Sequence, residues 1–289
     1  MTINDHIFYR SRTFAGIICY LMNKGIQPRQ VQHDYSRHLH RHVIFDIYLP
    51  PGYDADHNRQ FPLVLFNDGQ DLPVANLGGA LETLISQGKI PPAVVVGVHA
   101  GKGRRHEYGT VRQADYKGRG DKAPHYRDFV LEELLPHLRE KWRLSTRPKD
   151  NVFAGFSLGG LSAFDIAWAH PDVFGKAGVF SGSLWWRWSD VDPADPDADR
   201  IIHDVVRTCS STRPNAQHFW FQAGTLDEAE DRNNNGIIDA IDDTLHLIEA
   251  LKVRGYTDKQ IRYLEMENGT HDPVTWGKAM PDFLKWIFA

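Results

Sequence analysis

The sequence contains little cysteine and no hydrophobic run of membrane-spanning length. Its two cysteines, Cys19 and Cys209, lie far apart in a chain of 289 residues. So few cysteines argue against a disulfide framework and favour a reducing compartment. The apolar stretch FAGIICYLM at 14–22 is too short to cross a bilayer, and no small-residue cleavage site follows it. We therefore expect a partly buried N-terminal helix, no membrane association and a cytoplasmic location.

The sequence also lacks a strong excess of either charge. Its 33 Lys and Arg residues against 37 Asp and Glu give a net charge of −4, and the two signs are interspersed. This pattern provides no basic surface for nucleic acid or for an acidic membrane. Repeats and low-complexity tracts are absent as well. With 42% apolar residues, the composition is that of a globular protein with a sizeable core.

Predicted strands and helices alternate from about residue 40 onwards. The strands are short apolar runs: HVIFDIYL (42–49), FPLVLF (61–66), AVVVGV (93–98), NVFAG (151–155), KAGVFSG, HFWFQAG and IRYLEME. Amphipathic segments lie between them, the strongest at 124–142 with Val130, Leu134 and Leu138 on one stripe. This order predicts an α/β protein with a mostly parallel twisted sheet and helices on both faces. We expect residues 1–40 to be an N-terminal extension packed on a single domain of residues 41–289.

The clearest chemical motif lies where the strand NVFAG meets the next helix. Residues 155–159 read Gly-Phe-Ser-Leu-Gly, the G-x-S-x-G of a nucleophile elbow. Glycines are needed there because the turn is too sharp for a Cβ, and the turn exposes Ser157 at the start of the helix. The backbone N–H of Leu158 is then placed to stabilise a developing oxyanion.

A nucleophilic serine needs a base, and the base needs an acid that orients it. Where the three residues occur in the chain order Ser, acid, His, the acid and the base each come directly after a strand that follows the nucleophile in the sequence. Asp227 and Glu228 follow HFWFQAG, and His271 follows IRYLEME. We predict His271 as the base and favour Asp227 as the acid, with Glu228 as the alternative. The loop after FPLVLF supplies a second oxyanion donor, the backbone N–H of Gln70 or of Gly69.

Eight segments together resemble the esterase-D-like family of α/β-hydrolases, over about residues 38–289. They are IYLPPGYD, the DGQD loop, RRHEYGT, GRGDKAPHYRDFVLEELLPHL, AGFSLGGLSA, FSGSLWW, QAGTLDE and ENGTHDPVTW. The family includes enterochelin, feruloyl and acetylxylan esterases. The resemblance implies the α/β-hydrolase fold, ester hydrolysis, and a triad of Ser157, His271 and Asp227 or Glu228. The sequence differs from the family pattern in two respects. We recognise no secretion signal of the kind expected for extracellular polysaccharide esterases. Residues 1–40 are also too few to form the accessory β-domain of many enterochelin esterases.

An aromatic cluster follows a strand end on the side where such sheets bind ligands. Trp185 and Trp186 suit a sugar ring or an aromatic acyl group, and GSLWW looks most like the siderophore esterases. The alternative is a hydrophobic anchor beneath a loop. Arg104 is a candidate for contacting an anionic substrate group, although a salt bridge to Glu107, three residues on, explains it equally well.

The segment DRNNNGIIDAID at 231–242 has the spacing of a calcium loop. The expected ligands are Asp231, Asn233, Asn235, the carbonyl of Ile237, Asp239 and Asp242. The alternative is a left-handed turn shaped by Asn and Gly, with an acidic helix cap. We interpret the loop as a structural clamp on the neighbouring acid loop. The predicted calcium is structural, because the triad needs no cofactor for hydrolysis.

The sequence therefore predicts a serine carboxylesterase that acts on a small-molecule ester of a siderophore, a sugar or an aromatic acid. One alternative is acyl transfer, in which a sugar or lipid hydroxyl replaces water. The other is a non-catalytic carbohydrate-binding module of the same fold, against which the intact Ser, acid and His residues argue.

Overall fold

The eight strands of the described residues form one sheet in a computed structural model that covers residues 25–209 and 217–289. The expected helix at 14–22 and Cys19 lie outside the described residues. The strands are β1 (Arg29–Ser36), β2 (Arg41–Tyr48), β3 (Leu63–Asn67), β4 (Val94–Val98), β5 (Asn151–Phe156), β6 (Lys176–Phe180), β7 (His218–Leu226) and β8 (Ile261–Thr270). The seven strands predicted from apolar runs are confirmed, and β1 is additional.

The strand order is β1-β2-β4-β3-β5-β6-β7-β8. Strand β2 runs antiparallel to both β1 and β4, and the remaining neighbours are parallel. The predicted mostly parallel sheet is thus confirmed. Residues 29–36 belong to the expected N-terminal extension, and they form the edge strand beside β2. Strand β8 is the opposite edge.

Helices cover both faces of this sheet. They are α1 (Leu77–Ser86), α2 (Arg104–Glu107), α3 (Ala123–Asp128), α4 (Leu135–Lys141), α5 (Leu158–Ala169), α6 (Ile201–Arg207), α7 (Asp239–Val253) and α8 (Pro273–Ile287). Short 3₁₀ turns lie at Tyr53–Ala55, Gly69–Asp71 and Pro148–Asp150. The predicted helix over 124–142 is continuous through a π-helical segment, Phe129–Leu134. Pro136 accounts for this segment, because its ring would clash with the carbonyl of residue 132 in an α-helix.

The strands divide their side chains between two hydrophobic cores. Leu63 and Leu65 of β3 face the core covered by α3 to α7. Val64 and Phe66 face the core covered by α1 and α8. Alternate side chains of a strand point to opposite faces of the sheet, and here both faces are buried. The strands therefore appear in the sequence as unbroken apolar runs. The parallel strands end at one edge of the sheet, where the polar segments singled out in the sequence come together.

Candidate active site

Ser157 occupies a strained turn between β5 and α5. Its backbone has φ 55° and ψ −123°, a conformation that L-residues rarely adopt and that costs on the order of 1–3 kcal/mol. A Cβ at Gly155 would lie 2.5 Å from the backbone of Gly159, so only glycine fits there. The Ser157 Oγ lies 3.3 Å from the Oγ of Ser183. The elbow is therefore formed as predicted, with its hydroxyl half-buried at the carboxyl edge of the sheet.

The two proposed oxyanion donors lie on adjoining turns. Leu158 is the first residue of α5, so its N–H has no partner within the helix. Gln70 belongs to the 3₁₀ turn Gly69–Asp71 that follows β3, and its side-chain oxygen accepts a hydrogen bond from the Ala100 N–H at 3.0 Å. The Asn67 amide donates to the Gly159 carbonyl at 2.8 Å. This hydrogen bond joins the end of β3 directly to the elbow helix.

Arg104 pairs with Asp68 rather than with Glu107. Its Nε and Nη2 atoms lie 2.7 Å from the two carboxylate oxygens of Asp68, a bidentate geometry. Glu107 instead pairs with Arg41, at 2.8 Å from Nε. The suggested Arg104–Glu107 pair is therefore wrong, because the two side chains point to different partners. Arg104 remains 32% exposed while Asp68 is 1% exposed, so one face of the guanidinium stays open to the site.

Asp227 is one of two acidic residues whose negative charge raises the pKa of His271, the other being Asp272. Its Oδ2 accepts a hydrogen bond from the Gly224 N–H at 2.9 Å, and its Oδ1 is buried without a hydrogen-bond partner among the described residues. Burial raises the pKa of Asp227, while the Gly224 N–H, the nearby Ser181 hydroxyl and His271 oppose this rise. The unpartnered Oδ1 is available to accept the ring N–H of a histidine.

The charged groups that act on Glu228 belong to the loop and the helix that follow it. Burial raises the pKa of Glu228 to about 7, and the negative charges of Asp239, Glu230 and Asp243 act in the same direction. The charge of Asp227 acts on His271, whereas His271 is not among the groups that act on Glu228.

His271 follows β8 and packs edge-on against Trp276, with ring centroids 5.5 Å apart. His271 is exposed by its surface area, yet the groups packed around the ring displace enough water to lower the pKa of His271. The charge of Arg104 also lowers this pKa, while Asp227 raises it. A histidine that is neutral at pH 7 can act as a general base.

The two predicted substrate tryptophans have different environments. Trp186 is 1% exposed and lies in the core, with Gly109 and Gly120 against its ring. Its interpretation as a substrate wall is corrected, because a ligand cannot reach it without displacing these neighbours. Trp185 is half-buried and lines an open cavity of about 640 Å³. Arg119, which sequence reasoning missed, lies over both rings at 5.0 and 5.1 Å.

That cavity carries charges of both signs. Tyr116, Lys117, Arg119 and Trp185 line one part of it, and Glu228, Glu230, Asp231, Arg232 and Asp239 line another. The cavity joins the aromatic cluster to the loop predicted to bind calcium. Its lining includes Glu228, the residue that follows the proposed acid in the sequence, but not Ser157, Asp227 or His271.

In the predicted calcium loop, the first acidic residue, Asp231, accepts hydrogen bonds from the backbone of the loop itself. Asp231 accepts hydrogen bonds from the N–H groups of Asn235 and Gly236 at 3.0 and 2.9 Å. Asn235 in turn accepts from the Ile237 N–H at 2.8 Å. Asn234 and Gly236 have positive φ, as expected of the left-handed turn that was the alternative interpretation.

Two further acidic residues of the predicted calcium set, Asp239 and Asp242, have protein partners within the loop. Asp239 accepts a hydrogen bond from the Arg232 N–H at 3.0 Å and lies 3.2 Å from its guanidinium. Asp242 accepts from the Asn233 amide at 3.0 Å. Across residues 25–209 and 217–289, the acidic and histidine side chains close enough to share a metal are Asp197, Asp242 and His246. Only Asp242 belongs to the predicted set, and the opposing charge in the loop comes from Arg232.

Arg232 is the cation that holds this loop together. Its guanidinium is 7% exposed and forms ion pairs with Asp197 at 2.7 Å, with Asp239 and with Asp243. Asp243 also pairs with Arg200, which is 2% exposed. The network connects the segment after the tryptophan cluster with the start of α7.

The elbow, the histidine after the last strand and the parallel sheet define an α/β-hydrolase. Residues 36–287 match the model of the family described as "Putative esterase", so the chain belongs to this family of carboxylic ester hydrolases. The uncharacterized protein YbbA of Bacillus subtilis is 27% identical over 88% of this chain and 95% of its own length. The iron(III) enterobactin esterase of Dickeya dadantii is 28% identical over 81% of this chain. This chain spans 49% of that esterase.

The solved structures agree on the fold. A ferulic acid esterase superposes with a TM-score of 0.67 at 17% identity, over 91% of this chain and 98% of its own. At that identity the likeness establishes the α/β-hydrolase fold alone. In the part of the chain that the structure describes, no helix combines the length and hydrophobicity needed to cross a membrane.

Proposed function

We propose that this chain is a serine carboxylesterase in which Ser157 is the nucleophile, His271 the base and Asp227 the acid. The observation that carries the proposal is the backbone of Ser157, which is held at φ 55° at the start of α5 in a chain of an esterase family. Strain of this kind persists where the surrounding fold requires it, and it is characteristic of a nucleophile elbow.

The proposed reaction has two steps. His271 accepts the Ser157 proton as Oγ attacks the ester carbonyl, and the N–H groups of Leu158 and Gln70 stabilise the oxyanion. The alcohol leaves with the proton from His271, and an acyl-enzyme remains. Water then attacks this ester with His271 again as base, which releases the acid and restores Ser157. Asp227 orients the imidazole ring and stabilises its charge throughout.

The cavity beside Trp185 supports an ester with an aromatic acyl group. Trp185 and Tyr116 offer ring surfaces within the same space. Aromatic stacking favours such a group over a plain alkyl chain. Similarity to an enterobactin esterase and to a ferulic acid esterase leads us to propose an aromatic ester, including one of siderophore type.

Hydrolysis of p-nitrophenyl acetate by wild type and by Ser157→Ala tests the activity. We expect turnover by the wild type and its loss in the variant, and equal rates in both would refute the assignment of Ser157. No turnover of any aryl ester by the wild type would instead favour a binding module. Products formed with an added alcohol distinguish hydrolysis, which gives the free acid, from acyl transfer, which gives a new ester.

A further inference from the structure

A serine hydroxyl outside the proposed triad touches the nucleophile. Ser183 follows β6, is 5% exposed, and its Oγ lies 3.3 Å from the Ser157 Oγ. The Ser183 N–H also donates to the Ser157 carbonyl at 3.2 Å. Two contacts therefore join Ser183 to the elbow, one of them to the reacting atom.

The turn that carries Ser183 is itself held in place. Ser181 has φ 45°, and its N–H donates to the Gln222 carbonyl at 2.8 Å. Its hydroxyl accepts a hydrogen bond from the Trp276 indole N–H at 2.9 Å. Trp276 stacks on Phe156, with centroids 4.6 Å apart and planes 7° from parallel. The turn is thus fixed to β7 and to α8.

The same contacts lead to the other two members of the proposed triad. Trp276, which donates to Ser181, packs edge-on against His271. The Ser181 hydroxyl also helps to lower the pKa of Asp227 against the effect of burial. One turn of three residues therefore contacts the nucleophile and the acid directly, and the base through Trp276.

We propose that Ser183 is a positioning residue that orients the Ser157 hydroxyl for attack. The inference rests on the proposed function, in which Ser157 is the nucleophile. A serine side chain has three staggered rotamers, and a hydrogen bond to a fixed neighbour selects among them. Ser183 is fixed by the turn, so the Ser157 Oγ is held against it and its remaining hydrogen-bonding capacity is directed to the base and the substrate.

A packing role alone does not account for this hydroxyl. A buried hydroxyl costs free energy unless it is paired, and alanine would fill nearly the same space without that requirement. The partner of the Ser183 hydroxyl is the one side chain whose orientation decides whether the proposed reaction occurs. Attack is sensitive to placement, since a shift of about 1 Å can lower a rate on the order of 100-fold.

The test compares Ser183→Ala with wild type, with Ser157→Ala and with a matched control, Ser145→Ala. Ser145 is 3% exposed and its hydroxyl also has a side-chain partner, Asp150, but it lies at the opposite end of the strands. We expect Ser183→Ala to lower kcat on p-nitrophenyl acetate on the order of 10- to 100-fold, with KM changed less than about twofold. Ser145→Ala should leave kcat unchanged.

A second readout isolates attack by Ser157. Diethyl p-nitrophenyl phosphate transfers its phosphoryl group to the serine oxygen, the serine proton passes to the base, and p-nitrophenolate is released. We expect Ser183→Ala to slow this single turnover as much as it lowers kcat. If Ser183→Ala does not fold, Ser183→Cys serves in its place, because a thiol fills the space and is a weak hydrogen-bond donor.

The outcomes separate this inference from the proposed function. A folded Ser183 variant whose kcat and phosphorylation rate stay within about twofold of wild type overturns the role of Ser183 while leaving Ser157 as nucleophile. Equal loss of kcat in Ser145→Ala also overturns it, because the effect would then be one of general stability. If Ser157→Ala hydrolyses p-nitrophenyl acetate at the wild-type rate, the proposed function itself is refuted.

Discussion

The Arg104 guanidinium binds both carboxylate oxygens of Asp68, each at 2.7 Å, across 36 residues of sequence. Asp68 is the residue before the turn Gly69–Asp71, which carries the proposed oxyanion donor. Arg104 also reaches the Phe156 carbonyl at 3.4 Å, one residue before the nucleophile. This ion pair therefore connects the two turns that we propose to present N–H groups to the same oxyanion.

Replacement of Arg104 by Met should lower kcat/KM at least about tenfold, because the turn after β3 loses its link to the elbow. The melting temperature should also fall, since Asp68 is buried without its cation. Arg104→Lys should recover little activity, because an ammonium group cannot reproduce the bidentate geometry. The exposed neighbour Arg105→Met is the control, and a wild-type kcat/KM in Arg104→Met would show that the pair does not position the turn.

The two adjacent acidic residues should differ sharply when each is replaced by its amide. Asp227→Asn should lower kcat on the order of 10³- to 10⁴-fold, because the histidine loses its orienting carboxylate. Glu228→Gln should keep kcat within about twofold, since the charges that act on Glu228 are those of Asp239, Glu230 and Asp243 and not that of His271. Steady-state kinetics on p-nitrophenyl acetate measures both. A large loss in Glu228→Gln with a small one in Asp227→Asn would reverse the assignment.

The pH dependence should report the neutral form of His271. Protonation removes the base, so kcat/KM should fall as the pH drops through the pKa of His271, which loss of surrounding water lowers from 6.5. The midpoint of the acid limb is therefore expected below 6.5. Because the charge of Arg104 also lowers this pKa, Arg104→Met should move the midpoint upward. A wild-type midpoint above 6.5 would contradict the environment described for the ring.

The thermal stability of the protein should depend on Arg232 and should not depend on added calcium. Arg232→Met leaves the carboxylates of Asp197, Asp239 and Asp243 without their shared cation and should cost on the order of 3–5 kcal/mol of unfolding free energy. Thermal melting with excess calcium and with chelator should give the same midpoint for the wild type. Arg112→Met, at an exposed site, is the control. A calcium-dependent rise in the wild-type midpoint would contradict this expectation and support the prediction that residues 231–242 bind a metal.

Most of the sheet could be predicted because its strands are buried on both faces. Runs such as those of β3 and β4 consist almost entirely of apolar residues, and this signal is local. Strand β1 was missed because RQVQHDYS is an edge segment with few apolar residues. The elbow could be found because its glycines and serine lie within five residues and follow a strand.

The rest of the site depends on contacts between distant residues. Asp68 was not recognised as the partner of Arg104, since Glu107 is nearer in sequence and has the right charge. Trp185 and Trp186 are adjacent, yet one lines a cavity and the other is buried, because successive side chains of a bent segment point in different directions. Ser183 reaches Ser157 only after β5 and β6 have paired, and no local pattern records that contact.

The edge position of β8 bears on how the enzyme should lose activity with heat. An edge strand is hydrogen-bonded to one neighbour, so it can separate from the sheet at a lower free energy than an internal strand such as β5. His271 follows β8 directly, whereas Ser157 follows β5 in the middle of the sheet. Fraying at this single edge would remove the base while the nucleophile and both cores stay in place. Thermal inactivation should accordingly begin as a local and reversible event, several degrees before the protein unfolds.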